Sequence, residues 1–447
     1  GSLRLAKEGE TIHAEIKKRG LLLTERNVVL GTALVDMYSK CGLHVKAREM
    51  LDELPIRNIV SWNALLVGYI RDGLVYEAIK CFEKLRQEGL SPDGVTFVCM
   101  LKACGRLGSV RKGKEMHALI GNQGLSDKSI LLHTALLDMY GKCGEIAKAQ
   151  EVFDKLPFRD AISWTVLMSE YAQHGLGEKA LICFERMQDE GFYPDSIVFS
   201  CILKACSSIR SLVKGEQIHA KIRKQIWQES DSVVGTALVD MYVKCGSLEK
   251  AQKVLEELPS KDASSWNALI AGYIQNELSE EALKCFAKMQ EKGFSPDAVT
   301  VVCILKACSS LGSAEKGENI HSDLLKLGLL GTTDIVVGTA LVDMYAKCGL
   351  LSKAQEIFNK LSQRDTVSWN ALMTGYVQQG LSVEALDCFS QMQADGVPPD
   401  AVTFSCILKA CGSVGSVKMG EAIHDEARKK NLLEKDIVLR NSLVDMY

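Results

Sequence analysis

Landmarks of the usual kinds are scarce in this chain. Proline accounts for 8 of 447 residues, aromatic side chains for 6%, and the net charge is only -3. A charge so close to neutral removes the global basic signal by which nucleic-acid binding is most easily recognised. No run of about 18 apolar residues is present to span a membrane, and no signal or transit peptide leads these residues. Glycine-rich phosphate loops are missing, as is any nucleophile constellation that stands outside the repeats described below. Catalysis, a cofactor and a small-molecule substrate are therefore not expected. The 16 cysteines contain no C-x-x-C, so neither a zinc ribbon nor a dithiol motif is indicated.

What the chain does have is repetition. "GTALVDMYSKCG" at Gly31 returns as "HTALLDMYGKCG" at His133, "GTALVDMYVKCG" at Gly235 and "GTALVDMYAKCG" at Gly338, and "NSLVDMY" ends the sequence at Tyr447. The starts at 31, 133, 235 and 338 lie 102, 102 and 103 residues apart. Such a tandem array reads as one continuous body, not as separate cores. The cysteines follow the same period, and those of the pairs Cys99/Cys104, Cys201/Cys206, Cys303/Cys308 and Cys406/Cys411 lie five apart. On a helix that spacing turns them about 140° away from each other, so buried free thiols in a reducing compartment are expected, with no metal site. Gly1-Ser2 reads as a cloning remnant, and the halt inside a repeat reads as a piece of something longer.

Each period divides further. Cuts at Val28, Ile59, Gly94, Ile130, Ala161, Ser196, Ser232, Ala263, Ala298, Ile335, Thr366, Ala401 and Ile437 give units of 31, 35 and 36 residues in rotation, with one extra residue between Ala298 and Asp334. Every proline falls near a unit's end, where a residue that cannot continue a helix belongs. Each unit reads as two helices. In the unit from Ile59, "SWNALLVGYIRDG" and "YEAIKCFEKLRQEG" stop at Gly73 and Gly89, and Ala78, Cys81, Phe82 and Leu85 form one apolar stripe. A single unit cannot bury such stripes, whereas stacked units can. An all-α solenoid with a groove along one side follows.

The letters themselves are specific. "IVSWNALLVGYIRDGLVYEAIKCFEKLRQEGLSPD" (Ile59 to Asp93) closely resembles a pentatricopeptide repeat. "GVTFVCMLKACGRLGSVRKGKEMHALI" resembles the long (L) variant, and "ILLHTALLDMYGKCGEIAKAQEVFDKLPFRD" the short (S) variant. Their strict rotation resembles the PLS class of plant organellar pentatricopeptide proteins. The resemblance implies a right-handed superhelical solenoid of tandem helix-turn-helix repeats. Its divisions are a partial L repeat at 1-27, an S repeat at 28-58, P-L-S triplets at 59-160, 161-262 and 263-365, P and L repeats at 366-436, and a partial S repeat at 437-447.

The resemblance further implies sequence-specific binding of single-stranded RNA, one base per unit, read jointly by a unit's fifth and last residues. A terminal Asp only accepts hydrogen bonds and suits the ring N–H of guanine or uracil, whereas a terminal Asn can also donate to adenine or cytosine. A short Thr at the fifth place leaves room for a purine, and a longer Asn suits a pyrimidine. Thr32 with Asn58 then implies adenine. Asn63 with Asp93, Asn267 with Asp297, and Asn370 with Asp400 imply uracil. Guanine is implied by Thr134 with Asp160, Thr165 with Asp195, Thr236 with Asp262, and Thr339 with Asp365. The long units offer Val98, Ser200, Val302 and Ser405, with Ser129, Asp231, Asp334 and Asp436 last, and no base is assigned to them. The target implied is 5′-AUNGGNGUNGUN-3′.

Apolar second residues wedge between bases in this family, which points to Val29, Val60, Leu131, Ile162, Val233, Val336 and Val367, with Ser264 an exception. Lys40, Lys142, Lys244 and Lys347, two turns beyond the fifth residue, are candidate phosphate contacts, although each also sits four residues after an Asp in the favourable order for an intrahelical pair. Trp62, Trp164, Trp266 and Trp369 neighbour the fifth residues but point about 100° away, so core packing is expected. His13, His117, His219, His321 and His424 recur far apart, which favours packing over a shared site. His13-Ala14-Glu15 matches half of a zinc deaminase signature by coincidence, since the P-C-x-x-C half is absent.

The family role implied is the recognition part of a cytidine-to-uridine RNA-editing factor in chloroplast or mitochondrion, with an editing helper protein at the long units. The competing reading is a helical protein-binding scaffold. The fifth-and-last polar pair weighs against it, because a peptide groove has no need of that pair at each step.

Overall fold

The computed structural model describes residues 2–19, 28–125, 129–225, 232–259, 261–326, 335–434 and 436–447. Among these residues there are 26 α-helices and no strand. The candidates Asp231 and Asp334 lie outside the described residues. Two compact units are distinguished, Gly1–Ile226 and Trp227–Tyr447.

Local chemistry sets where helices begin. Asn58 caps the helix Ile59–Arg71, its side chain accepting from the Ser61 amide while the Ser61 hydroxyl accepts from the Asn58 amide. The same reciprocal box is made by Asp93 with Thr96, Asp160 with Ser163, Asp262 with Ser265, Asp297 with Thr300, Asp365 with Ser368 and Asp400 with Thr403. Each such cap contributes about 1 kcal/mol. Stops are as local. Gly73 ends one helix with φ 79°, a left-handed conformation that costs other residues about 1–2 kcal/mol. At the equivalent place two periods on, Glu277 adopts φ 60°.

Within Gly1–Ile226 the first helices of successive repeats form a row. Val28–Lys40 packs on Ile59–Arg71, which packs on Gly94–Leu107, followed by Ile130–Lys142, Ala161–Gln173 and Ser196–Ser208. Second helices seal the row from behind: Val75–Gln87 packs against both Ile59–Arg71 and Gly94–Leu107. Trp227–Tyr447 is built the same way, from Ser232–Lys244 to Ile437–Met446. Ala78, Cys81, Phe82 and Leu85 are all buried, so the expected stripe is core.

Close approach between neighbouring first helices depends on residue size. A Cβ on Gly68 would stand 2.7 Å from the Ser39 side chain, one on Gly272 2.5 Å from Val243, and one on Gly375 2.5 Å from Ala346. In the remaining triplet the roles are exchanged. Glu170 occupies the glycine position, and Gly141 faces it, with 2.3 Å between a hypothetical Gly141 Cβ and Glu170 Cγ.

Candidate functional site

The fifth residue of a unit and the last lie 30 positions apart in the 35-residue units, yet they meet. Asn63 Nδ2 donates to Asp93 Oδ1 and Oδ2 at 2.9 and 3.0 Å. Asn267 donates to Asp297 Oδ2 at 2.8 Å, and Asn370 to Asp400 Oδ1 at 3.0 Å. A carboxylate can only accept, so it fixes which end of each amide faces it. The other end is held as well. Asn63 Oδ1 accepts from Thr96 Oγ1 and Asn370 Oδ1 from Thr403 Oγ1, both at 2.7 Å, while Thr300 does the same for Asn267.

Three residues from two consecutive units thus make one lock: the fifth Asn, the last Asp, and the Thr three places into the next unit. Sequence reasoning missed the Thr. A signal was available, because where Thr165 replaces the Asn, Val198 replaces the Thr. With no amide carbonyl to satisfy, no hydroxyl is needed. Burial works against the charge of Asp400, but hydrogen bonds from Thr403 and Asn370 outweigh it and hold its carboxyl below the usual range.

Threonine at the fifth place behaves differently. Thr236 Oγ1 donates to Asp262 Oδ1 at 3.3 Å, and Thr165 Oγ1 turns back to the Ala161 carbonyl at 2.6 Å. The hydroxyls of Thr134 and Thr339 are buried with no hydrogen-bond partner. Orphaned buried hydroxyls are rare in folded proteins and call for a partner.

Beside these polar pairs runs a series of exposed apolar side chains. The second residues Val29, Val60, Leu131, Ile162, Val233, Val336 and Val367 are 57% to 82% exposed, and Ser264 is exposed too. In the long units Val95, Ile197, Val299 and Val402 occupy the same place and are also exposed.

Profiles of the PPR repeat family match residues 57–106, 159–208, 261–310 and 364–413. A PPR repeat profile matches 32–59, 95–125, 132–159, 236–262, 339–365 and 402–432. The chain belongs to the pentatricopeptide repeat family. Among curated relatives, a mitochondrial pentatricopeptide repeat-containing protein of Arabidopsis thaliana is 35% identical over 92% of this chain and 59% of its own length. A chloroplastic one from the same plant is 34% identical over 92% of this chain and 50% of its own length. The chain thus spans between half and three-fifths of these relatives. In fold it is similar to the maize pentatricopeptide repeat protein PPR10 at TM-score 0.60, with 18% identity over 94% of this chain and 65% of that one. For PPR10 in complex with an 18-nucleotide psaJ RNA element the TM-score is 0.65, with 18% identity over 88% and 59%.

Other recurrent residues of this pentatricopeptide array have structural partners. Trp62, Trp164, Trp266 and Trp369 are at most 4% exposed, as their helical phase predicts. His13, His117, His321 and His424 each place Nδ1 at 2.8 to 3.1 Å from a tyrosine hydroxyl of the following repeat, namely Tyr38, Tyr140, Tyr345 and Tyr447. Burial lowers the pKa of His13, His117 and His321. All 16 thiols are free. Ten are buried, whereas Cys41, Cys143, Cys201, Cys245, Cys303 and Cys348 are only half-buried. Desolvation pushes Cys81 and Cys285 up to about 12, which leaves them unreactive as nucleophiles.

The lysines Lys40, Lys142, Lys244 and Lys347 are engaged within their own helices. Each pairs with the Asp four residues earlier, at 2.7, 2.7, 2.9 and 2.9 Å. At exposed positions such pairs contribute only a few tenths of a kcal/mol.

Proposed function

We propose that this array binds single-stranded RNA in a sequence-specific way, one base per unit, with 5′-AUNGGNGUNGUN-3′ as its target. The observation that carries the proposal is the recurrent fifth-to-last pair set beside an exposed apolar side chain. Each Asn–Asp pair offers a base edge oriented polar atoms, and Val60 or Val367 offers its face an apolar surface. Asn63, Asn267 and Asn370 would meet uracil with the amide already held by its Asp and Thr. Thr32 with Asn58 would meet adenine. Thr134, Thr165, Thr236 and Thr339, with Asp160, Asp195, Asp262 and Asp365, would meet guanine, the orphaned hydroxyls of Thr134 and Thr339 gaining a partner. Val29, Leu131, Ile162, Val233 and Val336 would flank the bases, whereas Lys40, Lys142, Lys244 and Lys347, each neutralised by the Asp four residues earlier, would add little to phosphate binding.

The similarity in fold to PPR10, itself solved with an RNA element, supports this reading, as does membership of the family. We further place the chain in the PLS class, as the recognition part of a cytidine-to-uridine editing factor in mitochondrion or chloroplast, with a helper protein at the long units. The rotation of three unit lengths supports the class, and relatives named for both organelles support the compartment. Titration of AUNGGNGUNGUN RNA against a scrambled oligonucleotide at physiological salt is the test. Tighter binding of the target by tenfold or more is expected, and equal affinity would refute base reading.

A further inference from the structure

The first helices of the long units are almost entirely enclosed. In Gly94–Leu107 every residue from Thr96 to Gly105 is buried or half-buried except Lys102. Lys204, Lys306 and Lys409 are likewise the sole exposed residues in the middle of Ser196–Ser208, Ala298–Ser310 and Ala401–Val414. Each lies seven residues after the exposed second residue (Val95, Ile197, Val299, Val402), and seven residues on a helix return to nearly the same direction. The fifth residue lies between them on that strip, half-buried as Val98 and Val302 or buried as Ser200 and Ser405. None of the four lysine ammonium groups has an ion-pair or hydrogen-bond partner among the described residues.

The other repeats carry no such free charge at this place. In the complete short units the corresponding residues are Asp36, Asp138, Asp240 and Asp343, each cancelled by its lysine one turn on. In the 35-residue units they are Val67, Ser169, Ala271 and Thr374. The last residues Asp93, Asp262, Asp297 and Asp400, each hydrogen-bonded to the fifth residue of its unit, add carboxylates beside the same strip. A polyanion approaching it needs a cation that is exposed, uncompensated and in line with the apolar flank.

We propose that Lys102, Lys204, Lys306 and Lys409 are the principal phosphate-binding residues of the array, and that the long units hold RNA by its backbone while the other two kinds read bases. Two such lysines belong to each compact unit, one in every third repeat. The inference rests on the RNA-binding reading above. It accounts for fifth residues in the long units that cannot read, Val98 and Val302, which have no polar side-chain atoms. A lysine four residues beyond such a side chain supplies affinity without sequence information.

Salt dependence separates the possibilities. Binding to AUNGGNGUNGUN RNA is measured from 50 to 200 mM salt for three proteins: the unaltered chain, the long-unit quadruple variant (Lys102→Gln, Lys204→Gln, Lys306→Gln, Lys409→Gln), and a short-unit control. In that control Asp36→Asn and Lys40→Gln are combined with their three counterparts, so no charge is left uncompensated. With about 0.7 counterions released per single-strand phosphate contact, the quadruple variant is expected to lose close to three units of log-log slope. Across this range the unaltered protein then weakens about 50-fold more than the variant. The short-unit control is expected to lose less than one unit. Both variants should keep the unaltered melting temperature and the same ratio of target to scrambled affinity. An unchanged slope in the quadruple variant, or an equal loss in the control, overturns the assignment to the long units. Failure of the unaltered chain to bind any RNA overturns the RNA-binding reading instead.

Discussion

Glu170 is the residue most out of place in its surroundings. It is 2% exposed, one carboxylate oxygen lacks any partner, and desolvation together with the charge of Asp138 pushes its pKa up to about 7, with Lys142 and His174 opposing. The unfolded value lies near 4.5, so between these limits the folded chain holds a proton that the unfolded chain has released. Stability attributable to this group is therefore fully present below pH 4.5 and is lost as pH rises towards 7. Glu170→Gln removes the titration. Chemical unfolding of both proteins at pH 5 and pH 8 should show the variant gaining on the unaltered chain by roughly 2 to 3 kcal/mol at the higher pH. Parallel behaviour at the two pH values would show that Glu170 finds a compensating partner.

Pairs of helices are the level at which the repeat both specifies and varies its packing. Three junctions use a glycine on the 35-residue unit against Ser39, Val243 or Ala346, and the fourth exchanges the partners as Gly141 and Glu170. Gly141→Ala would drive a methyl group into Glu170 Cγ. Overpacking of this kind costs about 1–3 kcal/mol, and Glu170→Gly should restore most of it, a coupling that a double-mutant cycle measured by thermal unfolding reads directly. Additive losses would mean that the two helices separate independently of this contact.

Helix pairs of this sort are legible in the sequence because their signals are local: an apolar stripe, a glycine after it, and an Asp–Lys pair one turn apart. Helical phase is likewise enough to place Trp62 in the core, and wide spacing to assign His117 to packing, where it lies half-buried. The Asn63–Asp93–Thr96 lock was only partly legible. Its third member belongs to the next unit and meets the amide only when units stack. The exposure of Lys102 was hidden likewise, since it depends on neighbouring helices covering every other residue around it.

At the scale of the whole molecule, the proposed function rests on repetition of small polar sites. One Asn or Thr with its terminal partner would discriminate modestly, about 1–3 kcal/mol for a good hydrogen-bonded pair, and a series of them would make an address. Two compact units, each a row of first helices backed by second helices, present these sites in chain order. If the long units hold the backbone while the others read bases, as proposed, affinity and discrimination fall to different repeats. On that proposal, truncating the series by one 35-residue unit should remove a letter, whereas removing one long unit should remove an anchor.

The central claim is that fifth and last residues together choose the base, and the first complete unit tests it in isolation. Affinities of the unaltered chain and of Asn58→Asp are compared for RNAs that differ only in carrying adenine or guanine at the first position of AUNGGNGUNGUN. The substitution retains the helix cap, since Asp performs that role at Asp93 and Asp160, so folding is preserved while the donor is lost. The account predicts adenine preferred by the unaltered chain and guanine by the variant, a reversal of about 5- to 100-fold. Identical ranking of the two RNAs by both proteins would contradict it.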